Sequence, residues 1–417
     1  MNNIVAFCID MVLWNNNGYG LAFDFYKFLS QKQKVTIIIP TNHPYVRERV
    51  MHLNTNLTVY LLAIGEMFYH RVFQERRSVN IYDIAMSLHE DECFVKKVKR
   101  LVAPQSVIIC DSFMWGNFVA NVYPDKKFIL RSLDVEYDKV IQRFEYKESL
   151  TPADLRHKDK VYELEKNAYR SACHSIALMH DEKIRLSELY DVDVDKFSVM
   201  PVCLINAGLY KNLLPSRLTS KRVSNIVYIG YLECEAWATV KKIVGIANKL
   251  PDVNFHIIGK NVGNEIGNEC PSNLCFYGEV SDRKKKEIIS NSDGALNLST
   301  QRYGIRTKVL DYMLMGCPII STEIGMRGYD VKKHEHYVPC DIESMDKTVE
   351  YFCGLSAENR NKIAVNAYRF LTQNYDYNTY WNSIFEKIQI NDEPKDHLTG
   401  VEFSIFGCGH AGKKHMS

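Results

Sequence analysis

Between two short apolar runs, at 294–299 and 317–322, the stretch YGIRTKVLDYMLMG holds residue types suited to gripping an anion. Gly304 lets a ligand approach bare backbone, and Arg306, Thr307 and Lys308 place two cations and a hydroxyl where a helix should begin. Asp311 follows Lys308 by three residues and so shares its helix face. Cations and helix-end amides hold a diphosphate, and a carboxylate one turn on accepts from two vicinal ribose hydroxyls. The set would hold a nucleotide. The same spacing also describes an Asp–Lys pair on a solvated helix face, and the residues alone leave both readings open.

A second loop carries related chemistry. DMVLWNNNGYGLAFDFYKFL puts Gly18 and Gly20 ahead of an amphipathic helix, where exposed N–H groups favour a phosphate or carboxylate, although a lone G-x-G is as often only a tight turn. DSFMWGNF, 111–118, follows an apolar run, so Asp111, Phe113 and Trp115 either line an acceptor pocket or enter a helix as core. No D-x-D or His/Asp cluster stands at a strand end, and the 12 cysteines include no C-x-x-C; no metal is expected.

These loops need elements to position them. Short β-rich runs alternate with longer helical patterns: 4–9, 35–39, 57–62, 106–110, 127–130 and 175–178, then, after FSVMPVCL, 225–230, 253–259, 273–278, 294–299 and 317–322. That alternation specifies an α/β chain with two doubly wound parallel sheets, and 417 residues suffice for two such domains. In open parallel sheets, ligands sit at the carboxyl ends of the strands, where both loops fall. The polar INAGLYKNLLPSRLTSKR marks the boundary, and NTYWNSIFEKI is a helix able to cross back onto the first domain.

Composition excludes other classes. With 46% hydrophobic and 24% charged residues the chain is globular, and 52 basic against 50 acidic residues give a net charge of +2, with no general pull toward nucleic acid. The opening MNNIVAFCIDMVLW has no basic leader, and no apolar run reaches the roughly 18–20 residues of a spanning helix. A cytoplasmic chain is expected, with peripheral contact on the inner membrane face as an option. The option rests on ECFVKKVKRLV, 92–102, whose apolar face either docks on anionic lipid or packs on a sheet.

GIRTKVLDYMLMGCPIISTEIGMRG resembles the donor-site segment of glycosyltransferase family 4, which runs from a Gly-rich loop through a Lys and an acidic residue to G-x-P-V-I-x-T-x-x-G-x-x-G. LRSLDVEYDKVIQRFEYKES and VYELEKNAYRSACHSIALMHDEKIRL are similar to the stretch that opens with Arg-x-His-Asn-x-Glu in bacterial members. The resemblance runs from residue 4 to about 388 and implies a GT-B fold, two Rossmann-like domains facing across a cleft. Residues 1–203 would bind the acceptor, 204–374 the nucleotide-sugar donor, 375–390 would cross back, and 391–417 form a tail. It further implies a retaining transfer of a sugar to a saccharide, lipid-linked or protein acceptor in surface-glycan assembly, with no protein nucleophile and no cofactor. Asp134 and Glu136 are the catalytic acids it implies, and Asp111, read from its place after an apolar run, joins them in the expected catalytic set.

The departures from the family are specific. The first glutamate of the family's Glu-x7-Glu pair falls on Tyr303, and the second is shortened to Asp311. The basic pair that many members carry in G-R-L-x-x-x-K-G is not evident in GYLECEAWATVKK, which leaves Lys260 or Arg302 to substitute. The family histidine falls on Leu133. These losses motivate an alternative, a non-catalytic GT-B partner or chaperone of an active transferase; a GT-B epimerase is the third reading. The tail sequence GVEFSIFGCGHAGKKHMS sets a G-x-G-x-x-G after a strand pattern, read either as chance glycines or as the start of a further, truncated nucleotide-binding unit.

Overall fold

The structure is a computed structural model. It describes residues 3–8, 19–41, 43–76, 84–104, 106–145, 147–205, 207, 222–230, 234–259, 270–300, 302 and 304–390. Gly18, Lys260, Tyr303, the tail 391–417 and most of the boundary segment lie outside the described residues.

Eight strands form the first sheet: β1 (Ile4–Phe7), β2 (Val35–Pro40), β3 (Arg49–His52), β4 (Leu57–Leu62), β5 (Val107–Asp111), β6 (Phe128–Arg131), β7 (His174–Ala177) and β8 (Phe197–Val199). Their order is β3-β4-β2-β1-β5-β6-β7-β8, parallel except for β3. That edge strand was not read from sequence, because RVMH has almost no buried side chain to produce a pattern. The second sheet holds β9 (Asn225–Ile229), β10 (Asn254–Ile258), β11 (Leu274–Phe276), β12 (Gly294–Asn297), β13 (Ile319–Ser321) and β14 (Val338–Pro339), in the order β11-β10-β9-β12-β13-β14. All its pairings are parallel. Two-residue β14 was too short to signal itself.

Both sheets reverse direction at their first strand, so each has a switch point where the carboxyl ends open a crevice: β1/β5 in the first, β9/β12 in the second. The strands are apolar runs because both faces are covered. Val5 and Phe7 enter one buried cluster, while Ile4, Ala6 and Cys8 enter another on the opposite face.

The helix Pro152–Ser171 starts at a complete capping box: Thr151 accepts from the Asp154 N–H, and Asp154 accepts from the Thr151 N–H, with Pro152 at the first turn. The helix Glu92–Lys99 corrects the lipid-docking option. Phe94 and Val98 are fully buried in the first core, and Lys97 donates to the Ala63 carbonyl and pairs with Glu48. Its apolar face packs on the sheet. Tyr377, Trp381 and Ile384 of the last helix, Tyr377–Ile390, are buried in the core of the first sheet, and Leu204 donates its N–H to the Tyr375 carbonyl where that helix begins. An apolar seam joins the units, with Leu178, Met179, Leu204 and Ala207 packed in one cluster with Ile305, Met326 and Tyr329.

Candidate active site at the seam between the sheets

The helix Lys308–Leu314 lies behind the β9/β12 switch point, and its first residue reaches the strand ends. Lys308 Nζ donates to the Ile229 carbonyl (2.7 Å) at the end of β9 and stands 4.9 Å above the Tyr228 ring. Buried Tyr312 accepts from the Ile229 N–H (3.1 Å), which ties the same strand end to the same helix. Beyond β12, Arg306 Nε donates to Ser299 Oγ (2.9 Å), and Tyr329 donates to the Arg306 carbonyl (3.1 Å). Thr322 then locks the neighbouring turn, donating to the Ser299 carbonyl and accepting from the Gly325 N–H. Both cations therefore sit at the carboxyl edge, held by short polar bonds. Thr307 caps the helix without a side-chain hydrogen bond.

Asp311 departs from the expected pairing. Its carboxylate meets Lys285 at 2.8 Å, on the helix Asp282–Ser290, and Lys285 also meets Asp282. Lys308 turns to the strand end and Asp311 to a neighbouring helix, because different groups compete for two residues on adjoining sides of one short helix. Arg302 faces across the seam: its N–H donates to Gln142 Oε1 (3.2 Å), and its exposed guanidinium lies 4.0 Å from Glu145. Gly20 is the second residue of the helix Tyr19–Ser30.

Asp111 is corrected. It is wholly buried at the end of β5, paired with Arg131 at 3.1 Å and approached by Cys8 Sγ, while Arg131 stacks 4.2 Å above Phe25. Burial raises its pKa, opposed by the Arg131 charge. A carboxylate enclosed in this way braces the β1/β5 switch point and cannot meet an acceptor. Phe113 and Trp115 are likewise core residues.

Asp134 and Glu136 are both bound by Lys139 Nζ, at 3.1 and 2.8 Å. Glu165, missed in the sequence, fixes this segment from below: its buried carboxylate accepts the N–H groups of Glu136 and Tyr137 (both 2.9 Å) and the Tyr190 hydroxyl (2.5 Å). It acts as a cap supplied by another helix, since Val135 makes no cap bond of its own. Asp134 reaches the second unit, lying against Gly304. Burial, opposed by Lys139, raises its pKa. Beside it, buried Glu182 and the Asp181–Arg327 pair (3.5 Å) complete the seam. Only the helical context of LMHDEKIRL signalled these two acids, and helix context does not distinguish a seam residue from a surface one.

Among the described residues no group of three or more His, Cys, Asp or Glu is placed to hold a metal, and no helix is long and apolar enough to cross a membrane. The segment that carries the switch point, both cations and Asp311 is also the one with a family match. Residues 224–352 match the family model for group 1 glycosyl transferases. The fold is GT-B. Sucrose-phosphate synthase from Thermosynechococcus elongatus superposes with a TM-score of 0.68 at 10% identity, covering 94% of this chain and 99% of that one. A UDP-forming alpha,alpha-trehalose-phosphate synthase from Burkholderia vietnamiensis gives 0.64 at 10%, covering 94% and 100%. A trehalose-6-phosphate structure from E. coli bound with UDP-2-fluoro glucose gives 0.66 at 10%, covering 93% and 99%. Among curated proteins, an uncharacterized 44.6 kDa protein in the cps region of Klebsiella pneumoniae is 25% identical over 175 residues, 40% of this chain and 44% of that protein. The match thus spans less than half the length of that relative.

Proposed function

We propose that the protein is a retaining glycosyltransferase of the family 4 kind, which moves a sugar from a nucleotide-sugar donor to a saccharide, lipid-linked or protein acceptor. The observation that carries this reading is the convergence of Arg306 and Lys308 at the β9/β12 carboxyl edge, inside the segment matched to the group 1 glycosyl transferases. When a nucleoside diphosphate departs, negative charge grows on its oxygens, and fixed cations in a partly buried cleft stabilise that charge more than they stabilise the ground state. Asp134, which reaches the seam from the first unit, is the carboxyl best placed to orient an acceptor hydroxyl, with Lys139 holding it and Glu136 steady. Attack from the leaving-group face would retain configuration. Closing the seam would exclude water and protect the donor from hydrolysis.

The relative in a cps region fits a role in surface-glycan assembly, and two structural neighbours, one UDP-forming and one bound with UDP-2-fluoro glucose, make a UDP-sugar the first donor to try. The proposal contains no metal, since the side chains at the edge already supply positive charge. Calorimetric titration with UDP, GDP and their sugars, with and without EDTA, tests it. Binding that survives EDTA, together with slow donor hydrolysis, is the expected result, and failure of every nucleotide to bind would remove the reading.

A further inference from the structure

We propose that Glu182 is a positioning residue, which from the first unit holds the Gly304 loop of the second in register across the seam. Glu182 lies in the first turn of the helix His180–Tyr190 and is 2% exposed, yet neither carboxyl oxygen makes a hydrogen bond of normal geometry. A buried polar group left in this state is costly and persists where another group completes it in a second arrangement. The N–H groups of Gly304 and Leu178 are the backbone donors that face it. Gly304 is followed by Arg306 and Lys308, so a small advance of this loop would give the carboxyl its missing donor and set both cations at once.

The charged and titratable groups around Glu182 come from several elements: Asp134 from the loop after β6, Arg327 from the second unit, Tyr169 from the helix Pro152–Ser171, and Asp181 on its own helix. Asp134 is in turn held by Lys139 and faced by Arg306. Burial first, then the Asp134 charge, raises the Glu182 pKa to about 8, with Arg327 opposing. The neutral form therefore accompanies the closed seam. Ionising this enclosed carboxyl carries a desolvation cost, increased by the Asp134 charge on the same unit, that opening of the seam to water relieves, so the latch is full at low pH and is lost as pH rises through about 8.

The ligand part of this inference rests on the nucleotide-site reading, whereas the seam part does not. Hydrogen exchange of amides 304–308 in the full chain, corrected for intrinsic rates, should show protection in the wild type falling by up to about tenfold per pH unit from the ordinary glutamate range up to about 8, and staying level above it. Glu182→Gln should keep its protection at pH 6.5 and 9, and Glu182→Ala should lack it at both. UDP titrations under the same conditions should follow the same order. Equal, pH-independent protection in wild type and Glu182→Gln would overturn the proposal, and that comparison decides it even where Glu182→Ala fails to fold. Loss of UDP binding by every form, with the exchange pattern intact, would reject the nucleotide reading and leave the latch standing.

Discussion

Gly304 of the second unit rests directly against the Asp134 carboxylate of the first: a Cβ on Gly304 would overlap Asp134 Oδ1, and the Gly304 backbone sits at φ +66°. Two independent reasons thus demand glycine at the point where the domains meet. Gly304→Ala should cost roughly 2–4 kcal/mol, combining a left-handed alanine with a forced overlap. Adding Asp134→Gly should return the overlap part and leave the backbone part. Urea denaturation of the single and double variants measures both, and identical losses would show that Asp134 is not the obstacle.

Lys308→Met should weaken nucleoside-diphosphate binding by about 1.5–3 kcal/mol, the range for a charge-assisted hydrogen bond. Stability should fall by about 1 kcal/mol, since the Ile229 carbonyl loses its donor. A stability loss with unchanged affinity, read by calorimetry, would make Lys308 a structural residue.

Asp311 has two competing assignments, ribose acceptor and partner of Lys285. Asp311→Asn should reduce UDP affinity while inorganic pyrophosphate binds as before, and Lys285→Met should leave both affinities in place. Equal effects of the two substitutions on UDP would assign Asp311 to the ion pair alone.

Glu165 should make stability depend on pH. Burial raises its pKa to about 7, opposed by the hydrogen bonds from Tyr190, Glu136 and Tyr137. The folded state therefore binds a proton that the unfolded state releases above the ordinary glutamate range. The stabilisation is full at lower pH and disappears as pH rises through about 7. The stability difference between wild type and Glu165→Gln should shrink from pH 4.5 to 7 and stay level above, as followed by denaturant midpoints. A constant difference would contradict the buried, protonatable state.

The Arg131–Asp111 pair is enclosed, so removing one member strands the other. Arg131→Met should destabilise by about 3–5 kcal/mol, and the double variant with Asp111→Leu by clearly less than the sum of the single losses. Additive losses in a double-mutant cycle would show that the two charges are not coupled.

Much of the fold was legible because the strands of a doubly wound sheet are buried on both faces, so runs such as IVAF, VIIC and NIVYI stand out without any partner in view. Edge strands β3 and β14 were silent, one because its side chains face solvent and the other because it has only two residues. Local spacing also located the basic edge. Arg306 and Lys308 belong to a loop and a helix start, whose chemistry is written in consecutive residues. The sequence by itself thus determined the class of fold, the positions of most strands along the chain and the segment able to hold an anion.

Tertiary structure decided what each charged group does. Asp111, Asp134, Glu165 and Glu182 are all acids near strand or helix ends, and nothing in their neighbours along the chain separates them. Asp111 became a buried brace because Arg131 closes on it from the adjacent strand, and Glu165 a cap because its helix passes under residues 136 and 137. Asp134 and Glu182 became seam residues because Gly304, more than a hundred residues away in sequence, is folded against them. A carboxyl group's role follows from its solvation and its partners, and long-range packing supplies both.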